Sequence, residues 1–138
     1  MDSEISTYES QILEKDLDTF GHVNNANYPV FFEEARWDGI TRGGYGLKRV
    51  QQEQKGPTLL EMKIRFKKEL RLRDCFRVET QMIDFEKKVY TVHQKIYRGD
   101  EFCTEAEFVM AFFDLKLRKL ILPTVAWKQT MLSLGKET

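Results

Sequence analysis

The sequence is poor in the residues that build disulfide frameworks and metal clusters. It contains only two cysteines, Cys75 and Cys103, and two histidines, His22 and His93. The cysteines lack a Cys-x-x-Cys spacing, and the four residues together match no familiar zinc-binding spacing. We therefore expect reduced, structural cysteines, and we expect neither a metal nor a cofactor.

A net charge and a long apolar run are also missing. The 22 acidic and 22 basic side chains give a formal net charge of zero, so no overall field attracts nucleic acid or an anionic membrane. No apolar run approaches the roughly 20 residues that cross a bilayer, and the polar, acidic amino terminus does not resemble a signal peptide. These absences predict a cytoplasmic protein that neither binds nucleic acid nor inserts into a membrane.

The length and composition favour one globular domain. Hydrophobic residues make up 41% of the chain and charged residues 32%, as in ordinary globular proteins. A chain of 138 residues can build one hydrophobic core, and no repeat, low-complexity block or flexible linker divides it. We expect a single domain over residues 1–138.

Hydrophobic periodicity predicts one long helix from about residue 25 to residue 41. Its apolar face would carry Tyr28, Phe31, Phe32, Ala35 and Gly39. The pair Gly43-Gly44 would then end the helix. A short strand is expected before this helix, at about residues 8–13.

A two-residue period predicts a meander of strands after the helix. These strands are expected to begin near Leu60, Phe76, Tyr90 and Phe102, and the last is apolar on both faces, as is typical of a central strand. A change of phase before Ile83 predicts a bulge. A short helix is expected after residue 123. The order indicates an α+β domain whose sheet edges and open face favour pairing with a second copy.

A polar turn, residues 16–25, lies just before the long helix and contains two Asp and two Asn residues. A carboxylate such as Asp18 at this place would have a nucleophilic or basic oxygen close to free backbone N–H groups and the positive end of a helix dipole. A substrate carbonyl oxygen on those N–H groups would be stabilised as it gains negative charge. Gly21 allows a sharp turn. Taken singly, each of these residues is more often a cap or a turn residue.

The stretch from Asp16 to Trp37 resembles the signature of the 4-hydroxybenzoyl-CoA thioesterase class of hot-dog proteins. It is particularly similar to the long-chain acyl-CoA thioesterase branch, in which an Asp, a Gly-His-Val-Asn-Asn turn and a Tyr-x-x-x-x-Glu-x-x-Arg helix follow in this order. The resemblance implies the hot-dog fold, an antiparallel sheet wrapped around one long helix, and hydrolysis of an acyl-CoA thioester. It also implies a homodimer or homotetramer with sites between subunits.

The resemblance also implies roles for individual residues. Asp18 would act as the nucleophile or general base, and the backbone N–H near Asn25 would be the oxyanion donor. Gly21, His22 and Asn24 would complete the catalytic turn. Tyr28 matches a motif position that shapes the site, and we expect it to contact coenzyme A together with the basic residues Arg65, Lys67, Lys68 and Arg71, which are chosen for their charge and not from the resemblance. Glu33 and Arg36 would form a helix-to-loop brace, and Asp16 matches a variable position without a catalytic role.

Six basic residues, at 63, 65, 67, 68, 71 and 73, crowd into eleven positions. They can be a solvated strand edge that resists aggregation or a site for the phosphates of coenzyme A. Several aromatic residues can line an acyl tunnel, although core packing is the more common role: Phe20, Phe31, Phe32, Trp37, Phe66 and Phe112. They favour a fatty-acyl substrate over a short polar one.

Two other functions are consistent with the same fold. An acyl-thioester dehydratase would use a His and an acid, but its His-Phe-Pro-Gly-like loop is absent and we expect His93 to lie mid-strand without an acidic partner. A non-catalytic acyl-CoA-binding protein would keep the fold without turnover.

Overall fold

The computed structural model describes residues 1–134, which form six β-strands and three α-helices. The amino-terminal half contains β1 (Ser6–Gln11), a 3₁₀ turn (Glu14–Asp16), α1 (Asn27–Arg42) and α2 (Leu47–Glu53). The strands β2 (Lys55–Phe66), β3 (Cys75–Ile83), β4 (Val89–Arg98), β5 (Glu101–Asp114) and β6 (Lys119–Ile121) follow, and α3 (Val125–Leu132) comes last. No helix in the described range is long and apolar enough to cross a membrane.

The strands form one antiparallel sheet in the order β1-β3-β4-β5-β2, and β6 pairs with the end of β5. As predicted, the strand that is apolar on both faces is central, because β5 lies between β4 and β2. The strands β1 and β2 are the two edges. The pairing of Met62 with Phe108 and of Phe66 with Thr104 places these β2 side chains on the inner face of the sheet.

Helix α1 packs on the inner face of the sheet, as the hydrophobic period predicted. Phe31, Phe32 and Ala35 on its apolar face are buried, and Gly43 caps its carboxyl end. The helix begins two residues later than expected, at Asn27. The reason is that Asn24 and its neighbours form a separate turn before it.

The sequence-based prediction of the strands was wrong in some places. The chain turns at Asp84, whose φ is +52°, so β3 ends at Ile83 and contains no bulge before it. The register of β2 shifts instead between Leu59 and Glu61. Strand β5 ends at Asp114, and neither β6 nor α2 was predicted.

An apolar strip is left uncovered along the β2 edge. It consists of Leu59, Leu60, Met62 and Phe66, which are between 39% and 52% exposed. Two of these side chains, Met62 and Phe66, point to the inner face but stay about half exposed, although Phe66 contacts Tyr28 at the start of α1. The unpaired backbone of β2 and its apolar side chains together make this edge a favourable surface for another chain.

Candidate functional site

The loop between β1 and α1 is a tight turn held by backbone hydrogen bonds. The N–H of Asp18 donates to the carbonyl oxygen of His22 at 2.7 Å, and the N–H of Asn24 donates to that of Asp16 at 2.9 Å. Gly21 has a φ of +80°, which only glycine adopts without strain. The turn therefore fixes the backbone on both sides of Asp18.

The carboxylate of Asp18 is ordered through one of its oxygens. Oδ1 accepts hydrogen bonds from the N–H groups of Phe20 at 2.9 Å and His22 at 3.0 Å. Oδ2 accepts no hydrogen bond from any residue in 1–134, and the side chain is exposed in the single chain. One oxygen thus orients the group, and the other is available to a substrate or to water.

The amide groups just before α1 divide into paired and unpaired donors. Asn24 Oδ1 accepts from the N–H of Ala26 at 3.0 Å, and the Asn24 carbonyl accepts from Asn27 at 2.8 Å. The N–H of Asn25 has no acceptor within the described part of the chain. Asn24 therefore forms a turn just before Ala26, the N-cap residue of α1, and Asn25 provides a free donor at this end of the helix.

His22 and Tyr28 have different environments. The imidazole of His22 is exposed, and its Nε2 lies 3.8 Å from Glu69 Oε1. The ring of Tyr28 is only 3% exposed and packs edge-on against Phe66 with the ring centroids 4.9 Å apart. Burial raises the pKa of Tyr28. Tyr28 is therefore a core residue in the single chain. Its expected contact with coenzyme A stays a prediction, and the ring has almost no exposed surface to support it.

The basic residues predicted to bind coenzyme A are all exposed, but most have acidic neighbours. Arg65 and Lys67 lie 3.4 and 3.9 Å from Glu105, and Lys68 lies 3.1 Å from Glu101. Arg71 has no carboxylate within 4.0 Å among residues 1–134. Among the predicted phosphate contacts, Arg71 is thus the residue whose charge is least neutralised by nearby carboxylates.

Arg36 braces the helix to the sheet, not to the loop as expected. Its Nη1 donates to Gln94 Oε1 on β4 at 3.0 Å, and its guanidinium lies 4.3 Å from the centroid of the Phe108 ring. Gln94 also donates to the carbonyl of Phe32 and to Thr80. Sequence reasoning missed Gln94, and the only signal was a polar residue on the apolar face of a predicted strand.

His93 differs from expectation because it does have an acidic neighbour. Its Nε2 lies 3.9 Å from Glu107 Oε1, and both side chains are exposed. The two residues are cross-strand partners on β4 and β5, on the face opposite that of buried Gln94. Within the described residues, no group of three or more His, Cys, Asp or Glu side chains is placed to hold a metal ion.

The predicted tunnel aromatics separate into three groups. Phe31, Phe32 and Phe112 are buried in the core, whereas Phe20 is 83% exposed. Phe66 lies on the apolar strip, and Trp37 lines a cavity beside α1. The first three therefore support the fold rather than an open tunnel.

A comparison with known proteins adds sequence and structural relatives. The family model described as "Thioesterase-like superfamily" matches residues 12–130. The long-chain acyl-CoA thioesterase FadM of Escherichia coli (strain K12) is 28% identical over 107 residues, which cover 76% of this chain and 80% of that protein.

Two solved structures share the fold of this chain. The hypothetical protein SAV2348 from Staphylococcus aureus, in complex with CoA, superposes with a TM-score of 0.87 at 19% identity, covering 99% of this chain and 87% of that one. The probable thioesterase YbaW from Escherichia coli superposes with a TM-score of 0.81 at 22% identity, covering 95% and 99% of the two chains.

Proposed function

Because the chain belongs to the thioesterase-like superfamily and is a thioester hydrolase with the hot-dog fold, we propose that it hydrolyses acyl-coenzyme A with Asp18 as the catalytic carboxylate. The observation that supports this proposal is the hydrogen bonding of the loop before α1. Asp18 has one oxygen fixed by backbone N–H groups and one oxygen without a protein donor, and Asn25, two residues before α1, has a free N–H.

In the proposed reaction, the thioester carbonyl oxygen accepts a hydrogen bond from the Asn25 N–H. Negative charge on that oxygen is then stabilised at the positive end of α1. Asp18 either attacks the carbonyl carbon, forming a mixed anhydride that water cleaves, or removes a proton from the attacking water. Both routes release coenzyme A as a thiol and the acyl group as a free acid.

A second copy of the chain is part of the proposal, as a homodimer or homotetramer. Asp18 is exposed in the single chain, and a reactive thioester site needs walls that limit access of water. The apolar strip on β2 reaches the start of α1, because Phe66 packs on Tyr28. A partner chain seated on that strip would therefore also approach the loop.

We infer the acyl group and the carrier from the surfaces near the loop. The apolar strip and the name of the relative FadM favour a fatty-acyl chain. Arg71, with Arg65, Lys67 and Lys68, would contact the phosphates of coenzyme A, for which Lys and Arg are suitable partners. The cytoplasmic location stays a prediction.

One observation favours a second function, binding of acyl-CoA without turnover. The two hydrogen bonds that Asp18 accepts are sufficient to explain an Asp in this turn. The pair formed by His93 and Glu107 does not favour the dehydratase, because it lies on the outer face of the sheet, away from the loop.

Release of free thiol from a series of acyl-CoA esters tests the proposal directly. We expect hydrolysis by the native protein, with the rate depending on acyl chain length. A dehydratase would instead give an enoyl product without thiol release. Saturable binding of the same esters without thiol release would favour the binding function.

A further inference from the structure

A cavity of about 110 Å³ lies between α1 and the inner face of the sheet. This volume is several times the space that one water molecule needs. Much of the wall is apolar and includes Trp37 from α1, Leu59 from β2 and Met110 from β5. Leu59 and Glu33, which also line it, are exposed, so the cavity opens beside the β2 edge.

Arg36 contributes a buried positive charge to this wall. The residue is 6% exposed, and the hydrogen bond to Gln94 is the only one its guanidinium makes within residues 1–134. No carboxylate in the described chain lies within 4.0 Å of it, although the charge of Glu33 acts on it from a greater distance. Its remaining N–H groups have no protein acceptor among residues 1–134, and they are not among the fully buried atoms without a partner. They are therefore accessible from the cavity, where an anion or another acceptor would offset the unfavourable burial of an unpaired cation.

Tyr90 contributes a second donor without an acceptor. It lines the same cavity, it is 2% exposed, and its hydroxyl has no hydrogen-bond partner in the described structure. Burial raises the pKa of Tyr90, and the nearby charge of Arg36 opposes this shift only in part. The hydroxyl therefore remains protonated and able to donate. Buried polar groups without partners are rare in folded proteins.

We propose that this cavity receives the far part of the acyl group and that Arg36 and Tyr90 bind an oxygen atom carried there, as a hydroxyl or a carboxylate. The inference rests on the proposed acyl-CoA function and specifies its substrate class. If the acyl chain ended in a methyl group, the N–H groups of Arg36 and the hydroxyl of Tyr90 would stay unpaired, which disfavours a plain acyl chain. An oxygen atom on the acyl group would accept hydrogen bonds from them.

The position along the helix suits this role. Arg36 follows Asn27, the first residue of α1, by nine positions, which corresponds to about 14 Å along the helix axis. Val30, Glu33 and Trp37 lie at i, i+3 and i+7 on the side of α1 that borders the cavity. An acyl chain whose thioester lies at the loop can therefore extend along this side to Arg36.

Non-hydrolysable thioethers of coenzyme A test the inference by binding alone. For each chain length, three compounds are compared that end in a methyl, a hydroxyl or a carboxylate group. Their dissociation constants are measured by calorimetry or by the change in tryptophan fluorescence, since Trp37 lines the cavity. We expect at least one oxygenated end to bind about tenfold more tightly than the methyl end, or better. Equal binding of all three ends at every length would refute the inference.

Tyr90→Phe is the sharpest variant, because it removes only the hydroxyl and keeps the ring. We expect it to weaken the preference for the oxygenated end while binding of the methyl compound changes little. Tyr45→Phe is the matched control, since Tyr45 is a buried tyrosine whose hydroxyl donates to the Lys55 carbonyl away from the cavity. An unchanged preference in Tyr90→Phe would count against the inference. Arg36→Met should abolish the preference if the variant folds.

The outcomes also separate this inference from the proposed function. A preference for the oxygenated thioether with no hydrolysis of any thioester would refute the catalytic role of Asp18 and leave the inference standing. Hydrolysis of plain and oxygenated acyl-CoA at equal rates, with equal thioether binding, would refute the inference and leave the proposed function standing.

Discussion

Replacing Asp18 with Asn removes a negative charge but preserves the turn that the side chain holds. The Asn side-chain oxygen can accept the same hydrogen bonds that Asp18 Oδ1 accepts from Phe20 at 2.9 Å and from His22 at 3.0 Å. Asp and Asn are comparable at such capping positions. We therefore expect the free energy of unfolding to change by less than about 1 kcal/mol.

The expected effect on catalysis is far larger. The substitution converts Oδ2, the oxygen without a protein donor, into an amide nitrogen that is neither a nucleophile nor a base. Loss of a positioned general base slows a reaction by about 10²- to 10⁴-fold, which corresponds to about 3–5 kcal/mol of activation free energy. We expect this loss in kcat with little change in KM, because the group acts mainly in the transition state.

Thiol release from acyl-CoA, measured beside denaturant unfolding, separates these two effects. Glu14→Gln is the matched control, because it removes an exposed carboxylate, paired with Arg73 at 2.8 Å, from the turn just before the loop. It should keep the native kcat. Asp18→Ala should lose both activity and stability. A native kcat in a folded Asp18→Asn variant would refute the catalytic role and leave Asp18 only as a turn residue.

Four further predictions concern the core, the pH dependence, a helix end and the sheet edge. Gln94→Leu should lower the free energy of unfolding by about 2–4 kcal/mol in denaturant titrations, because the buried Arg36 loses its only side-chain acceptor. Burial opposes ionisation of Asp74, but hydrogen bonds from Arg98 and from the Arg71 N–H outweigh it and lower its pKa. The stabilisation by ionised Asp74 is therefore present above the unfolded pKa of about 4 and is lost as pH falls through the lower folded value. Below about pH 4, the Tm of Asp74→Asn should therefore fall less than the Tm of the native protein. Gly43→Ala would place a Cβ 2.6 Å from Thr130 Cγ2 and should cost about 1–3 kcal/mol in unfolding experiments, with partial recovery when Thr130→Ser is added. Met62→Lys should shift the protein toward monomers in sedimentation experiments, whereas Lys63→Gln, on the outer face, should not; a native oligomer in Met62→Lys would contradict the proposed use of the strip.

The local hydrophobic pattern was sufficient to predict the main elements. The period of α1 and the two-residue alternation of β3 and β4 follow from one face of each element being buried against the core. Helix α2 was missed because none of its seven residues is buried, so it has no apolar face to produce a pattern. Strand β6 has only three residues, too few for a period to be visible.

The candidate site was predictable only where it is local. The turn around Asp18 could be expected because most of its hydrogen bonds, such as those of Gly21 with Asp18 and of Ala26 with Asn24, join residues that are close in sequence. The partners of Arg36 could not, since Gln94 lies 58 residues away in sequence. Similarly, the proximity of His93 to Glu107 depends on the register between β4 and β5.

The pairing of the first strand has a consequence for how the protein folds during its synthesis. In β1, Ser6 pairs with Thr80 of β3, so the ribosome releases this strand long before its neighbour exists. Pairing between residues so far apart in the sequence slows folding. It also leaves β1 unpaired in the nascent chain, where it can associate with the wrong segment. The loop with Asp18 is attached to β1 and gains that anchor only after β3 emerges. A substitution that delays docking of β3 would therefore lower the yield of active enzyme without altering the loop itself.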